Sequence, residues 1–356
     1  MTATLDVVFE EMQGVDGDLG IITLNRPTVL NALNFTMVQA IHRQLKSWSN
    51  ASNIKAVVIR AAEGRAFCAG GDLRPMYEGF KQHDPALALF FRHEYQLNRA
   101  IFHFPKPYIA LLDGITMGGG VGISIHGSHR VATERLMFAM PETGIGFFPD
   151  VGGTYFLPRL PRKVGTYLAL TGAKLLSDDC VAMGIAQHKV SQANLPALLD
   201  ALANRSYHGN AHQAVTEIIT SFQTAVSPFS LQQQQSCLDE CLSYDTIEQI
   251  NDALSSSSHD ICRNTHAIIM KKSPTSLKVT LRALLDGKRM DFDACMQQEF
   301  RLASRFLQGH DFAEGIRAVI VDKDQSPQWQ PATIAAVTSG MVDDYFAPLP
   351  EELVQQ

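Results

Sequence analysis

Three glycine-containing segments hold the residues that indicate a functional site most specifically. The first, residues 66–73 (AFCAGGDL), follows a β-branched run. Paired glycines permit backbone angles that other residues avoid, and they let a ligand approach backbone N–H groups closely. The competing interpretation is a tight surface turn, and the segment taken alone favours that interpretation.

The second segment, residues 114–122 (GITMGGGVG), lies between an apolar run at 108–112 and another at 121–125 that is expected to open a helix. Unpaired N–H groups point outward where a loop enters a helix, and they attract a negative charge. The pattern therefore predicts a site for an oxyanion or a phosphate.

Two nucleotide-binding motifs fail in this segment. Gly114 and Gly119 have the spacing of a phosphate-binding loop, but Gly120 stands where that loop requires lysine. Gly118 and Gly120 begin a G-x-G pattern, but Ile123 replaces its third glycine. Both motifs depend on those positions, so a nucleotide site is the weaker interpretation.

The residues that follow do not form another known site. Ser124 is one position away from the G-x-S-x-G pattern of a nucleophilic serine. His126 and His129 have no carboxylate at helical spacing, so polar or packing roles are favoured over metal binding.

The third segment, residues 138–153 (FAMPETGIGFFPDVGG), places Glu142 and Asp150 among aromatic residues, glycines and prolines. An apolar environment raises the pKa of a carboxyl group towards neutral pH and suits it to acid–base chemistry. Alternatively, each acid caps a helix or a turn. That alternative is stronger for Asp150 than for Glu142.

Strands that alternate with helices must position these segments. The apolar patterns predict strands at residues 18–24, 54–61, 108–112 and 129–133. One helical face over residues 34–49 is formed by Val38, Ile41, Leu45 and Trp48. This alternation over the first two hundred residues is typical of a layered α/β core.

The last third of the chain is predicted to be helical. Residues 192–264 are rich in Gln, Ser, Asn and Ala, which favours surface helices and loops. Ser273 and Pro274 begin a helix with a leucine stripe that stops at Gly287. A second stripe is formed by Phe292, Cys295, Met296, Ala303, Phe306 and Leu307. Asp311 and Glu314 have the spacing of a capping box for a third helix.

Length and composition restrict the class of protein. The 356 residues include 46% hydrophobic and 19% charged residues, which allows a sizeable core. The net charge of −6 argues against a broad nucleic-acid surface, and without an apolar run of about 18 residues no membrane span is expected. The six cysteines lack a C-x-x-C pattern, so reduced thiols are expected. Residues 1–11 do not resemble a targeting segment, which predicts a cytoplasmic protein.

Taken together, these segments resemble the crotonase (enoyl-CoA hydratase/isomerase) superfamily. The resemblance begins at residues 24–33 (LNRPTVLNAL). It continues in residues 67–74 (FCAGGDLR), 91–98 (FRHEYQLN), 114–127 (GITMGGGVGISIHG), 138–158 (FAMPETGIGFFPDVGGTYFLP) and 311–324 (DFAEGIRAVIVDKD). It implies an α/β fold, a crotonase-type spiral of β-β-α units with an extended helical C-terminal region. We expect a catalytic core over residues 1–200 and a helical region over residues 201–356 that packs on it.

The resemblance also implies roles for backbone groups. In this superfamily a thioester oxygen lies between two backbone N–H groups, and Gly71 and Gly119 occupy the matching positions. This agrees with the separate interpretation of both loops as N–H donors. Ala69 matches a position whose carbonyl holds the adenine of coenzyme A.

Gly122 discriminates between activities within the superfamily. The hydratases use two glutamates around one water molecule; one matches Glu142, but the other falls on Gly122, which has no side chain. The pattern instead resembles the thioester hydrolases, with Glu94, Glu142 and Asp150 around the acyl group. Glu142 is expected to activate water or to attack the thioester carbon itself, and the sequence does not choose between these roles. Asp150 and Glu94 are expected to hold a β-hydroxyl group of the substrate and to orient Glu142.

The expected reaction is hydrolysis of 3-hydroxyisobutyryl-CoA to 3-hydroxyisobutyrate and coenzyme A, a step of valine breakdown. The alternatives are an enoyl-CoA hydratase or isomerase, and a homologue that binds CoA esters without turnover. Many relatives carry lysine where this chain has Thr28, and Arg74 is a candidate substitute in CoA binding. The resemblance implies no metal and no separate cofactor, because coenzyme A arrives with the substrate. Relatives often trimerise through C-terminal helices, whereas a longer helical tail such as this one could cover its own site. The sequence therefore leaves a homo-oligomer and a monomer both open.

Overall fold

The computed structural model describes residues 6–82, 84 and 86–353. Residues 1–5, which were part of the argument about targeting, lie outside the described residues, as do residues 354–356 of the predicted C-terminal region. The strands in the described part are β1 (Val7–Met12), β2 (Asp18–Leu24), β3 (Ile54–Ala61), β4 (Ala66–Cys68), β5 (Tyr108–Leu112), β6 (Ile115–Met117), β7 (His129–Ala132), β8 (Met137–Ala139), β9 (Leu175–Leu176) and β10 (His188–Lys189).

These strands form two sheets. The larger has the order β1-β2-β3-β5-β7-β10, and the smaller has the order β4-β6-β8-β9. In the larger sheet β1 pairs with β2 in antiparallel register, while β2, β3, β5, β7 and β10 are parallel. The four strands predicted from the sequence are β2, β3, β5 and β7, and they all belong to this sheet. The α/β fold class is therefore confirmed.

The helices of the described residues are α1 (Phe35–Asn50), α2 (Leu73–Gln82), α3 (Ala86–Phe102), α4 (Gly119–Gly122), α5 (Gly153–Phe156), α6 (Val164–Thr171), α7 (Ser177–Ala182), α8 (Leu195–Ala203), α9 (Ala211–Ser221), α10 (Gln235–Cys241), α11 (Ile247–Ser256), α12 (Asp260–Ile269), α13 (Pro274–Gly287), α14 (Phe292–Phe306), α15 (His310–Ile316) and α16 (Ser339–Phe346). None of them is both long enough and apolar enough to cross a membrane.

Local sequence signals explain the ends of several helices. Asn34 caps α1 by accepting a hydrogen bond from the Met37 N–H at 2.8 Å, and the predicted face of α1 is buried. Ser273 caps α13 in the same way by accepting from the Ser276 N–H, and Pro274 takes the first helical position. The predicted beginnings of α1 and α13 are confirmed.

The predicted capping box for α15 is wrong. Gly309 precedes the helix, and no side chain caps it. Asp311 lies inside α15 instead, where its carboxylate accepts hydrogen bonds from Ser273 Oγ at 2.5 Å and from the Gln330 N–H at 2.8 Å. The local pattern assigned the Asp311 carboxylate to the helix cap, but this carboxylate instead binds residues that are distant in sequence.

The described chain alternates between two compact units. The first combines Met1–Gly71, Gln96–Phe138 and Leu175–Phe229. Its main core joins one face of the larger sheet, with alternating residues such as Leu19 and Ile21, to the buried sides of α8 and α9. The period of two is what a strand requires to place every second side chain on one face.

The second unit combines Asp72–Tyr95, Ala139–Lys174 and Ser230–Gln356. Its core includes buried residues of α10, α11, α12 and α13, such as Leu254 and Cys262. Each helix within residues 192–264 buries one apolar face and leaves its other residues partly or fully exposed, so the interpretation of that segment as surface helices and loops is confirmed. The predicted boundary at residue 200, between a catalytic core and a helical region, stays a prediction. The two compact units are each built from three separate segments of the chain.

Candidate active site

The first glycine loop follows β4 and is tied to the segment after β2. Leu33 N–H donates to the Gly70 carbonyl at 2.8 Å, and Ala69 N–H donates to the Leu30 carbonyl at 3.0 Å. Gly70 has φ +114°, a conformation that favours glycine. The hydrogen bonds of the described residues give the Gly71 N–H no backbone acceptor. This amide is therefore free to bind a ligand.

The second glycine loop joins β6 to α4 in the same unit. Gly118, with φ +48°, precedes α4, and Gly119 is its first residue. The helix spans Gly119–Gly122 and does not open at residues 121–125 as predicted. A Cβ at Gly120 would lie 2.2 Å from the Cys68 carbonyl oxygen, so the close approach to β4 requires glycine. Gly122, the position without a glutamate, is buried at the end of α4.

The two glycine loops adjoin each other. A Cβ built on Gly70 would lie 3.7 Å from the Gly119 nitrogen and 3.4 Å from the Met117 carbonyl oxygen. Gly119 is the first residue of a helix, so its N–H has no acceptor within that helix. The amides of Gly71 and Gly119 thus belong to neighbouring loops, and their joint role as an oxyanion hole stays a prediction.

The hydroxyl and imidazole groups near these loops have ordinary partners. Ser124 Oγ donates to the Gly120 carbonyl at 2.8 Å, which is a local bond within the turn. His129 is buried, and its ring nitrogens contact Ser128 Oγ at 2.8 Å and Thr216 Oγ1 at 3.0 Å. Burial lowers the pKa of His129 to about 4. The described residues contain no group of three metal-ligating side chains.

Glu142 begins a single 3-10 turn, Glu142–Ile145, after β8. Its side chain is buried, and among the described residues Oε2 has no hydrogen-bond partner. Burial raises the pKa of Glu142 well above its usual value, and the nearby charge of Asp150 adds to that rise. A buried carboxyl with a free oxygen and a raised pKa is suited to proton transfer near neutral pH.

Asp150 and Glu94 are the other two acids that the resemblance assigned to the site. Asp150 is buried, and Oδ2 accepts a hydrogen bond from the Tyr95 hydroxyl at 2.8 Å. Burial raises the pKa of Asp150 to about 7, although the bond from Tyr95 opposes the rise. Glu94 is buried on α3, its Oε1 has no partner among the described residues, and burial together with the charge of Asp150 raises its pKa. The second unit therefore holds Glu94, Glu142 and Asp150 close enough to affect one another's ionisation.

Aromatic rings give this unit its low polarity. The Phe147 and Phe312 rings stack with their centroids 4.3 Å apart, and Phe91 lies 5.4 Å from Phe147. The Tyr95 ring packs edge-on against Phe91 and Phe300. Because rings of this kind exclude water, they are a physical source of the burial that raises the pKa of the neighbouring acids.

Three residues with a bearing on the acids were not predicted. Tyr95 donates to Asp150, and the positive charge of Lys272 lowers the pKa of Glu142. Glu299 on α14 accepts hydrogen bonds from the backbone just after Asp150. The sequence held one usable signal: Glu299 lies three residues after Met296 and four before Ala303, on the apolar stripe of α14. A charged residue on an apolar stripe indicates a specific partner.

Arg74 and Thr28, the residues considered for CoA binding, are both exposed. Arg74 lies in the first turn of α2, and Thr28 lies in a 3-10 turn after β2. Ala69 is half-buried in the first glycine loop. Their contacts with coenzyme A stay predictions.

The fold and these loops define the class of protein. A model of the enoyl-CoA hydratase/isomerase family matches residues 19–346, which is most of the chain. The chain belongs to the enoyl-CoA hydratase/isomerase family. The sequence-based resemblance to the crotonase superfamily is thereby confirmed.

Comparisons with individual proteins are more specific than the family model. The chain is 44% identical over 351 residues to the mitochondrial 3-hydroxyisobutyryl-CoA hydrolase of Danio rerio, covering 97% of this chain and 90% of that protein. It is 42% identical to the enzyme of the same name from Homo sapiens, covering 98% and 91%. Among solved structures, a carnitinyl-CoA dehydratase from Mycobacterium thermoresistibile is 37% identical, with a TM-score of 0.90 and 99% of both chains covered.

The comparison corrects one sequence-based expectation. A cytoplasmic protein was predicted from the composition of residues 1–11, but these hydrolases are named as mitochondrial proteins. The prediction of a cytoplasmic location is therefore wrong. The composition of these eleven residues characterises only a short segment, and it does not determine the compartment in which the folded chain acts.

Proposed function

We propose that this protein hydrolyses the thioester of a β-hydroxyacyl-CoA, with 3-hydroxyisobutyryl-CoA as the substrate. The observation that carries the proposal is the buried group of Glu94, Glu142 and Asp150. Further support comes from relatives that are 42–44% identical over nearly the whole chain and are named 3-hydroxyisobutyryl-CoA hydrolase. The substrate brings coenzyme A with it, so the proposal needs no separate cofactor.

The free amides of Gly71 and Gly119 are proposed to bind the thioester oxygen. When a nucleophile adds to the carbonyl carbon, this oxygen becomes negatively charged, and fixed N–H donors stabilise that charge. Loss of one such donor costs on the order of 3 kcal/mol in a comparable site. The adjoining positions of the two loops support a shared role.

Glu142 is proposed to supply the reactive carboxylate. As a general base, it takes a proton from water while the water oxygen bonds to the thioester carbon, and the C–S bond then breaks as the sulfur leaves with its electron pair and takes up a proton. As a nucleophile, its own oxygen bonds to that carbon, and the C–S bond breaks as the sulfur leaves with its electron pair and takes up a proton. Water then hydrolyses the resulting anhydride to the free acid and restores Glu142. Both routes need the ionised form of Glu142, and they stay open here.

Asp150 and Glu94 are proposed to bind the β-hydroxyl of the substrate and to orient Glu142. Glu94 Oε1 has no partner among the described residues, and Tyr95 occupies one oxygen of Asp150. Buried polar atoms built to bond a hydroxyl are left unpaired when the substrate lacks one, so the unhydroxylated ester is rejected.

A free-thiol assay on 3-hydroxyisobutyryl-CoA tests the proposal. The wild type should release coenzyme A, and Glu142→Gln should lower kcat by at least about 100-fold, as for loss of a general base. Glu217→Gln is the control, because Glu217 forms an exposed ion pair with Arg205 on a surface helix. Undiminished turnover in Glu142→Gln would remove Glu142 from the mechanism.

A hydratase or dehydratase activity is the second candidate, because the solved relative at 37% identity is named a carnitinyl-CoA dehydratase and another at 35% from Rhodobacter sphaeroides is named an enoyl-CoA hydratase. Gly122 opposes this candidate, since it leaves Glu142 without the second glutamate. Following the absorbance of the conjugated double bond of crotonyl-CoA separates the activities. Loss of that absorbance without release of thiol would favour the hydratase, and CoA-ester binding without either reaction would favour a non-catalytic homologue.

A further inference from the structure

The turn that follows Asp150 has an unusual backbone conformation. Val151 has φ +50° and is fully buried, and Gly152 has φ +85°. A β-branched side chain is a clear outlier in the left-handed region, whereas glycine is at ease there. The surrounding structure must therefore hold Val151 in this conformation.

Glu299, which lies on α14, stabilises this turn by accepting hydrogen bonds. Its Oε2 accepts from the Gly152 N–H at 2.8 Å, and its Oε1 accepts from the Thr154 N–H at 3.0 Å and from Thr154 Oγ1 at 2.6 Å. Glu299 is fully buried. One of these bonds comes from Gly152 in the turn after Asp150, and the other two come from Thr154 at the start of α5.

The side chain of glutamate fits this arrangement better than that of glutamine. Both oxygens of Glu299 act as acceptors, and glutamine would replace one of them with an NH2 group that cannot accept. Burying an acid is costly, and among the described residues Glu299 forms no ion pair, so its presence indicates a demand on the turn itself. The turn has to hold Asp150 in position, and the Tyr95 hydroxyl separately binds Oδ2 of this residue.

We propose that Glu299 is a positioning residue that locks the turn after Asp150 and thereby sets the preference of the site for a hydroxylated acyl group. The inference rests on the proposed function in one respect, since it takes the β-hydroxyl as the partner of Asp150. The contact between Glu299 and the turn joins residues 147 positions apart, and it acts on Asp150 through the backbone without touching the substrate.

The test compares kcat/KM for 3-hydroxyisobutyryl-CoA with kcat/KM for isobutyryl-CoA. Glu299→Gln should lower the first value by about tenfold or more and the second by much less, because displacing one positioned group affects only the bond to the hydroxyl. A purely structural role would reduce the amount of folded protein and leave the ratio unchanged. A folded Glu299→Gln protein with the wild-type ratio overturns the proposal.

Asp239 provides a matched control. Arg162 has φ +55°, close to the +50° of Val151, and the next amide, Lys163 N–H, donates at 3.0 Å to Asp239 on α10. Asp239→Ala therefore removes a similar anchor of a similar turn, and it should keep the wild-type ratio. A change in ratio as large as that of Glu299→Gln would show that any lost anchor has this effect.

Three further variants keep the test decisive if Glu299→Gln does not fold. Thr154→Val removes one of the three bonds and should lower the ratio in the same direction, whereas Thr154→Ser keeps the bond and the ratio. Glycine adopts the turn without an anchor, so Val151→Gly combined with Glu299→Gln should recover part of the ratio. A wild-type ratio in Thr154→Val, or no recovery in a folded double variant, contradicts the proposal.

Crystal structures separate this inference from the proposed function. If the wild type cleaves neither ester or shows no preference, the proposed function is wrong, and the backbone still decides the role of Glu299. In Glu299→Gln, or in Thr154→Val if the former does not fold, residue 151 should leave φ near +50° and Asp150 should shift with it. An unchanged turn and an unchanged Asp150 would overturn the positioning role.

Discussion

At the scale of single residues, opposing neighbours set the ionisation of Glu142. Burial and the charges of Asp150 and Glu94 raise its pKa, while Lys272 lowers it. Lys272 is itself affected, since burial lowers its pKa and the charge of Glu142 raises it. The terminal nitrogen of Lys272 lies 3.1 Å from the position of a Cβ on Gly144, within the turn that Glu142 begins. Lys272 therefore helps to keep a deeply buried carboxylate ionised.

This pairing predicts a change in pH dependence. Lys272→Met removes the positive charge, so the pKa of Glu142 should rise further, and a reaction that needs ionised Glu142 should lose activity at higher pH than in the wild type. The measurement is the acidic limb of kcat/KM against pH for CoA release. Lys272→Arg should keep the limb near its wild-type position, and Lys271→Met, at an exposed neighbour, should leave it unmoved. A limb that does not move in Lys272→Met would exclude this electrostatic role.

At the scale of secondary-structure elements, the backbones of α15 and of the turn that Glu142 begins come into close contact. A Cβ on Gly146 would lie 2.2 Å from the Asp311 carbonyl oxygen, and a Cβ on Gly315 would lie 2.2 Å from the Ile145 carbonyl. Gly146 also has φ +70°. Close contact at two glycines leaves the turn little freedom to move away from the helix.

Gly146→Ala should consequently be far more damaging than the same change at Gly184. Gly184 has φ +79° with no atom within 4 Å of its Cβ position, so Gly184→Ala carries the backbone strain alone, about 1 kcal/mol. Gly146→Ala adds a clash with backbone and should cost several kcal/mol. Urea unfolding measures both, and equal losses of unfolding free energy would show that the contact with Asp311 does not constrain the turn.

The beginning of α13 depends on Ser273, which serves two elements. Its Oγ accepts from the Ser276 N–H at 3.1 Å and donates to Asp311 on α15 at 2.5 Å. Ser273→Ala should therefore cost about 2–3 kcal/mol, the sum of a lost cap and an unpaired buried carboxylate oxygen. Thr246→Ala is the comparison, because Thr246 is an exposed cap of α11, and about 1 kcal/mol is expected there. The measurement is again the free energy of unfolding, and a Ser273→Ala cost no larger than that of Thr246→Ala would contradict the double role.

Elements whose signals lie within the element itself were predictable. The apolar runs of β2 and β3 and the cap at Ser273 are local, and the structure has them where the sequence placed them. The capping box at Asp311 failed because Ser273 and Gln330, both distant in sequence, bind the carboxylate. Glu142 and Asp150 were singled out by their apolar surroundings in the sequence, and Glu94 was predicted from a resemblance. The contacts of Tyr95 and Glu299 are contained in no local pattern.

At the scale of the whole molecule, several buried groups make stability depend on pH. Burial raises the pKa of Asp150 to about 7 and that of Glu299 to about 8, so the folded protein holds protons that the unfolded chain has released. Stability from these two acids is full below the unfolded pKa of about 4 and is lost as pH rises towards the folded values. His129 acts in the opposite direction between about pH 4 and pH 6.5, because burial lowers its pKa to about 4. A single curve of stability against pH therefore mixes opposing contributions.

The difference between wild type and Asp150→Asn isolates the contribution of Asp150. Asparagine keeps an oxygen for the Tyr95 hydroxyl but cannot ionise, so the variant should be more stable than the wild type at pH 8, by about 1–2 kcal/mol. This advantage should shrink as pH falls from 7 towards 4, since protonation then relieves the buried charge of the wild type. Thermal unfolding of both proteins across this range measures the effect. The same variant should lose activity, because a site that keeps acids buried together sacrifices stability for catalysis. A difference in Tm that does not change with pH would mean that Asp150 ionises in the folded protein as it does in the unfolded chain.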